Sequence, residues 1–314
     1  MTVCFAHVAY LLGERFVLRN TGIRFFELRT FDDLAARIGE AEVLAVSGLW
    51  RNELLDRTEN LRFIQSISAG TDQYDHEALR VRGIRLASAQ GANEGAVAEH
   101  ALALMLALAR RLPQARDNQA RRHWRGMISD PALREEEVSG KTLLIVGLGR
   151  IGSRLAALAA GLGMHVIATK RKPIAAAGAV ELVAAQDRLL ELLPQADFVA
   201  LTCPLTPQTE LLFGPAAFAA MKSSAFLVNV ARGRVVDEPA LIRALQGKIA
   251  GAALDCFWDE PLPTDSPLWT CENALITPHT AGETRRYEDN VIDLLLENLG
   301  RLRRGEHPLK NQVV

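Results

Sequence analysis

Long apolar runs are missing from this chain. The most apolar stretch, Ala101 to Ala109 between His100 and Arg110, is too short to span a bilayer and reads as a buried helix. An excess of charge of one sign is missing too: 36 Lys and Arg stand against 37 Asp and Glu, a formal net charge of −1. That balance excludes a general attraction to nucleic acid or to an anionic membrane, so any anion must be met by a local cluster of donors. Cysteine is scarce. Cys4, Cys203, Cys256 and Cys271 form no C-x-x-C pair and share no metal-ligand spacing with histidine, which argues against a zinc site, and no metal is expected. Cys4 and Cys203 sit inside apolar runs and read as reduced, buried thiols, so a reducing, cytoplasmic compartment is expected. The N-terminus has no basic segment followed by a small-residue cleavage site, and no secretory signal is expected. Neither a repeat of solenoid length nor a low-complexity linker occurs.

What remains is the composition of an ordinary soluble globular protein, 49% hydrophobic and 23% charged, in 314 residues, a length suited to two domains. Strand-like and helix-like segments alternate from the start. Val3–Val8, Arg24–Leu28, Val43–Ser47, Phe63–Ile67 and Ile84–Ala87 read as strands, with helical pieces at Asp32–Ile38, Glu53–Arg57 and His76–Arg82. A second unit begins near Gly91 with a buried helix over Ala96–Arg111, followed by a polar, Arg-rich stretch expected on the surface or in a subunit interface. Six strands then follow: Thr142–Val146, Val166–Thr169, Phe198–Leu201, Ala225–Asn229, Gly251–Asp255 and Ala274–Thr277. Glu283–Arg304 reads as a last amphipathic helix, closed by basic residues and Gly305. Alternation of this kind predicts an α/β protein with two doubly wound parallel sheets.

Gly147-Leu148-Gly149-Arg150-Ile151-Gly152 is a G-x-G-x-x-G turn placed between an apolar strand and an Ala/Leu-rich helix. The first glycine permits the tight turn, the second lets backbone approach a pyrophosphate, and the third lets helix and strand pack closely. The amides of Arg150 and Ile151 would open the helix toward the phosphates. A dinucleotide turn of this type carries an acidic residue about 20 positions on, for the adenosine ribose. This chain places Lys170-Arg171-Lys172 there instead. Cations would pair with a 2′-phosphate that a carboxylate would repel, so NADP(H) is the expected cofactor, with NAD(H) the other possibility.

Charged residues collect after three later strands. Arg232 and Gly233 follow Ala225–Val228, Asp255 and then Asp259 and Glu260 follow Gly251–Leu254, and His279 follows the last strand. Ligands of such sheets bind beyond the carboxyl ends of the strands. An imidazole is the natural proton donor to the oxygen formed when hydride reaches a 2-keto acid, and the base in the reverse direction. A carboxylate would orient it and raise its pKa, and an arginine would hold the substrate carboxylate. Asp259 and Glu260 compete for the carboxylate role. Trp50, Trp124 and Trp258 are either packing residues or pocket walls.

These residues, with Ala96-Val97-Ala98-Glu99-His100, Cys203-Pro204-Leu205-Thr206-Pro207, Asn229–Asp237, Ala253–Pro263 and Pro278–Thr284, resemble the D-isomer-specific 2-hydroxyacid dehydrogenase family over nearly the whole chain. The likeness is to its glyoxylate/hydroxypyruvate reductase-like members. The resemblance implies a Rossmann cofactor domain, residues 93–284, inserted into a flavodoxin-like substrate domain of residues 1–92 plus 285–314. It also implies a homodimer made through the nucleotide domains. Arg232 then matches the substrate-orienting arginine, His279 the acid/base and Glu260 its partner. Asp255 matches the residue that meets the nicotinamide carboxamide. Cys203, Pro204, Val230, Ala231, His279 and Gly282 fall among the cofactor contacts, and Ser68-Ala69-Gly70 in the loop whose amides hold the substrate carboxylate. The substrate is a small 2-keto or 2-hydroxy acid, with glyoxylate, hydroxypyruvate, pyruvate and longer acids all open. Two other functions of similar proteins stay in view: an NAD(H)-sensing corepressor and a formate- or phosphite-type dehydrogenase.

Overall fold

A computed structural model describes every residue from Met1 to Val314. The chain divides into two units, Met1–Asn93 with Glu283–Val314, and Glu94–Gly282. The first part of the smaller unit runs β1 (Thr2–Ala6), α1 (Leu12–Val17), β2 (Arg24–Leu28), α2 (Phe31–Arg37), β3 (Val43–Val46), β4 (Phe63–Ser66), α3 (His76–Val81) and β5 (Arg85–Ala87). The larger unit opens with α4 (Glu94–Ala109), α5 (Leu112–Ala120), β6 (Thr142–Val146), α6 (Arg150–Gly161), β7 (His165–Lys170) and β8 (Leu182–Ala185). It continues with α7 (Leu189–Leu192), β9 (Phe198–Leu201), α8 (Pro215–Ala220), β10 (Phe226–Asn229), α9 (Glu238–Leu245), β11 (Gly251–Leu254) and β12 (Ala274–Ile276). The chain then returns to the smaller unit with α10 (Tyr287–Arg304).

The smaller sheet has the order β2-β1-β3-β4-β5, parallel throughout, which is the flavodoxin-like order. Its inner strands β3 and β4 are buried at every residue, as required when helices cover both faces of a sheet. Successive side chains alternate between those faces. Val3 and Phe5 pack with Phe16 of α1 and with Val291 and Leu295 of α10, whereas Cys4 and Ala6 pack with Leu34 of α2 and Leu79 of α3. A polar tie crosses this core. Asn298, fully buried, donates to Gln65 Oε1 (2.9 Å) and to the Lys310 carbonyl (3.2 Å) and accepts from Lys310 N–H (2.8 Å).

The larger sheet has the order β12-β11-β10-β9-β6-β7-β8, again all parallel. This is the Rossmann order with one further strand, and it reverses between β6 and β9, where a crevice opens at the strand ends. Leu143, Ile145, Phe198 and Ala200 face α4 and α6, while Leu144, Val146, Val199 and Leu201 face α7, α8 and α9. The fold is thus α/β with two doubly wound parallel sheets, a Rossmann unit inserted in sequence into a flavodoxin-like one. No helix is long and apolar enough to cross a membrane.

Several local expectations need correction. The larger sheet has seven strands rather than six: β8, the four residues Leu182–Ala185, is a short strand at the sheet edge with β7 as its one partner. The buried helix α4 spans Glu94–Ala109 rather than 96–111; Arg111 adopts a left-handed backbone, φ +52°, which stops it. The final helix begins at Tyr287 rather than Glu283, since Tyr287 N–H closes a tight turn on the Thr284 carbonyl instead of a helical one. Part of the Arg-rich stretch is the helix α5, which has no buried residue.

Replacing Asn298 with Ala should lower the stability of the protein by about 1–3 kcal/mol, because Lys310 N–H and Gln65 Oε1 lose a buried partner. A urea midpoint equal to that of the unsubstituted protein would show that this tie contributes nothing.

Candidate active site

The turn after β6 is shaped by crowding on one side and space on the other. Gly147 has φ +102°, and a Cβ there would lie 2.7 Å from the backbone of Cys203, so a side chain is barred twice over. A Cβ on Gly152 would come 2.7 Å from the Gly147 carbonyl oxygen, which is the close approach of helix to strand. Gly149, by contrast, meets nothing within 4 Å. It precedes α6, whose first amides have no intrahelical partner and carry the positive end of the helix dipole. Open space in front of those amides is what the pyrophosphate of a dinucleotide requires, so the residues present fit that group.

The turn forms one wall of a groove of about 640 Å³. Lys170 and Arg171 line it at the end of β7, and Cys203 and Pro204 after β9. Burial pushes the Cys203 thiol up to about 11, so it stays protonated near neutral pH. The Pro204 carbonyl accepts from the Thr209 hydroxyl (2.7 Å), which also accepts from Thr206 N–H (2.7 Å) and so holds this wall in shape. Gln186 and Asp187 line the same groove. They follow β8, whose Ala185 pairs with Lys170. Sequence reasoning missed both because it missed the strand that presents them.

The charged residues stand at the ends of β10, β11 and β12, three neighbours in the sheet. Asn229 shapes the first turn: its side chain accepts from Ala231 N–H (3.0 Å) and donates to the Arg232 carbonyl (3.1 Å). Val230 and Ala231 lie inside this turn. Arg232 is half-buried and donates from one guanidinium nitrogen to the Ala231 carbonyl (2.7 Å). A Cβ on Gly233 would fall 1.9 Å from the Phe257 carbonyl oxygen. Only glycine lets the turn carrying Arg232 press against the turn carrying Glu260.

Glu260 is held at both carboxylate oxygens. Oε1 accepts from Phe257 N–H (2.9 Å) and Oε2 from His279 Nδ1 (2.7 Å). Asp259, its neighbour, is exposed, and the carboxylate against His279 is that of Glu260. Because an ionised carboxylate only accepts, the proton of that bond sits on Nδ1, which leaves Nε2 to exchange a proton with a ligand. The bond to Glu260 raises the His279 pKa above its usual 6.5; burial opposes this, the Glu260 charge adds to it and the Arg232 charge subtracts. Burial alone would raise the Glu260 carboxyl, but the bonds from His279 and Phe257, with the charges of His279 and Arg232, outweigh it and hold it below its usual 4.5.

His279 itself has a left-handed backbone, φ +54°, which for a residue with a side chain costs on the order of 1 kcal/mol. Asp255, 2% exposed, secures the residues beyond it. Its carboxylate accepts from Thr280 N–H (3.0 Å) and Ala281 N–H (3.0 Å), just before Gly282.

The three tryptophans Trp50, Trp124 and Trp258 differ among themselves. Trp50 is a core residue, 1% exposed, whose indole donates to Asn52 (2.9 Å). Trp258 is half-buried, donates to the Val236 carbonyl (2.7 Å) and lies under the Arg234 guanidinium. Trp124 is 95% exposed. Ser68, Ala69 and Gly70 belong to the smaller unit, where they leave β4 partly exposed, with Ser68 N–H bonded to Ser66 Oγ (3.2 Å) and its hydroxyl to that of Ser47 (2.5 Å).

Comparison with known proteins agrees with this geometry. Residues 102–281 match the family model of the D-isomer specific 2-hydroxyacid dehydrogenase NAD-binding domain. The chain is 38% identical over 283 residues to the D-3-phosphoglycerate dehydrogenase of Methanocaldococcus jannaschii, an alignment covering 88% of this chain but 52% of that protein. It therefore spans about half the length of that relative. Glyoxylate/hydroxypyruvate reductase B of Yersinia pestis (strain Pestoides F) is 41% identical over 270 residues, covering 85% of this chain and 82% of the relative. Among solved structures, a D-isomer specific 2-hydroxyacid dehydrogenase family protein from Aeromonas salmonicida subsp. salmonicida A449 superposes with a TM-score of 0.88 at 30% identity, covering 100% of this chain and 98% of the other. With a nicotinamide-dinucleotide-binding domain matched in the larger unit and full-length likeness in fold, this chain belongs to the D-isomer-specific 2-hydroxyacid dehydrogenase family.

Proposed function

We propose that this protein reduces a small 2-keto acid to the corresponding D-2-hydroxy acid, and does so with NADPH in preference to NADH. The observation that carries the reading is the His279–Glu260 bond, 2.7 Å long, beside Arg232 on adjacent strand ends of a sheet whose first turn fits a dinucleotide. The glyoxylate/hydroxypyruvate reductase relative favours a short substrate such as glyoxylate or hydroxypyruvate.

When bound, the dinucleotide supplies hydride to the carbonyl carbon. His279 Nε2 gives a proton to the carbonyl oxygen, which becomes the hydroxyl, and takes it back in the oxidative direction. Glu260 fixes the ring and stabilises its charged form, so the donor is present near neutral pH. Arg232 supplies a planar fork for the substrate carboxylate and polarises the carbonyl. The family resemblance assigns the backbone amides of Ser68, Ala69 and Gly70, in the smaller unit, to binding a substrate carboxylate. Lys170 and Arg171 on the groove wall support NADPH, since both would pair with a 2′-phosphate; Asp187 on the same wall is the one carboxylate opposing them.

The same reading includes a homodimer, because Trp124 and Met127, 95% and 102% exposed, would be covered by a second copy. It also includes a reducing compartment such as the cytoplasm, given buried thiols and no cysteine pair.

A panel of 2-keto acids with purified protein and NADPH should consume the cofactor with at least one short acid; binding of cofactor without turnover of any would overturn the assignment. His279→Asn should lower kcat about 10²- to 10⁴-fold while the cofactor Kd stays near that of the parent. Equal turnover would remove His279 from the chemistry. The pH profile follows from the pair. Reductive kcat/KM should hold below the raised His279 pKa and fall as pH rises through it, and oxidation should behave inversely. Glu260→Gln should move that fall to lower pH, by removing the group that raises His279; an unmoved profile would contradict the pairing. Lys170→Ala with Arg171→Ala should shift the kcat/KM ratio roughly tenfold or more toward NADH, an effect worth one charge-assisted hydrogen bond. A parent enzyme that already favours NADH would show that the cluster does not select the cofactor.

A further inference from the structure

The left-handed residue His279 is bracketed by a hydrogen-bonded chain that reaches back to α4. Asp255 Oδ1 accepts from the Thr277 hydroxyl at 2.5 Å and from Thr280 N–H, while Oδ2 accepts from Ala281 N–H. Thr277 also accepts, at its carbonyl, from His279 N–H (3.0 Å). A hydroxyl has one proton, and Thr277 gives it to the carboxylate. The contact of 3.1 Å between His100 Nε2 and Thr277 Oγ1 must then run the other way, with Nε2–H as donor. This fixes the protonated nitrogen of His100, which also lies 3.6 Å from Asp255 Oδ1. His100 is on α4, packed against β11, and its side chain is 25% exposed, so it ties the loop to a different layer of the fold.

We propose that His100 and Thr277 are positioning residues for His279, acting through Asp255; this rests on the reading of His279 as the acid/base. The carboxylate of Asp255 is buried and needs every donor it has. The donors come from both sides of His279, residue 277 before it and residues 280 and 281 after it. Together they hold the backbone that places Nδ1 on Glu260. Removing the Thr277 hydroxyl, or the His100 donor that orients it, leaves Asp255 underbonded and releases one end of the bracket. The imidazole then samples positions away from Glu260 and its ligand, and the rate falls without loss of the dinucleotide turn, which is built from other residues.

The test uses two pairs of variants of the full chain. Thr277→Val and His100→Leu should each lower kcat about ten- to hundredfold, the range expected for a misplaced catalytic group, with the NADPH Kd within about twofold of the parent. Thr277→Ser and His100→Gln, which restore the hydroxyl and the Nε2 donor, should recover most of that loss. Hydrogen exchange read by NMR should show the Thr280 and Ala281 amides exchanging at least about tenfold faster in the Val and Leu variants and near the parent rate in the Ser and Gln variants. Unchanged kcat in His100→Leu, absence of rescue, or unchanged exchange at residues 280 and 281 would each overturn the proposal. Should Thr277→Val not fold, the His100 pair decides alone. Should His279→Asn keep full turnover, the acid/base reading fails, and the exchange rates still judge the bracket.

Discussion

A carboxylate and an imidazole held 2.7 Å apart at two strand ends set the demands that the rest of the larger unit meets. The pair is half-exposed, with side-chain exposures of 36% and 44%, so its attraction is screened by water and contributes little stability by itself. What it contributes is a defined protonation state. It settles which ring nitrogen carries the fixed proton, leaves the other for exchange, and keeps the charged form available to higher pH.

Meeting that demand takes backbone rather than more side-chain charge. Gly233 lets the Arg232 turn press on the Phe257 carbonyl, and the Phe257 amide in turn holds the second oxygen of Glu260. On the other side, His279 stands in a backbone conformation that a residue with a side chain avoids, and the buried Asp255 secures the chain beyond it. A half-exposed imidazole–carboxylate pair is thus supported by groups that water does not reach. The same division holds at the dinucleotide groove, where Gly147 is crowded by Cys203 on its inner side while Gly149 opens outward.

Much of this was legible in the sequence. Strand and helix alternation, the glycine turn and the residues Arg232, Asp255, Glu260 and His279 all depend on local pattern, and the inner strands announced themselves as continuous apolar runs because both their faces are covered. The edge strand β8, four residues with one partner, was missed although Leu182–Ala185 is apolar throughout, and with it Gln186 and Asp187 were lost from view. Trp50 offered an indole that sequence left between core and pocket wall; the packing of the smaller unit puts it at 1% exposure.

The sequence by itself determined which chemical groups are present and where the chain turns, because hydrophobic period, glycine placement and strand-end polarity are properties of short segments. Only the tertiary structure decided partnership. That Gly233 lies on Phe257 and that His100 reaches Thr277 across 177 residues follow from the sheet order β12-β11-β10 and from α4 lying against β11. Contacts between residues so far apart are set by which elements pack together, and no local pattern carries that information.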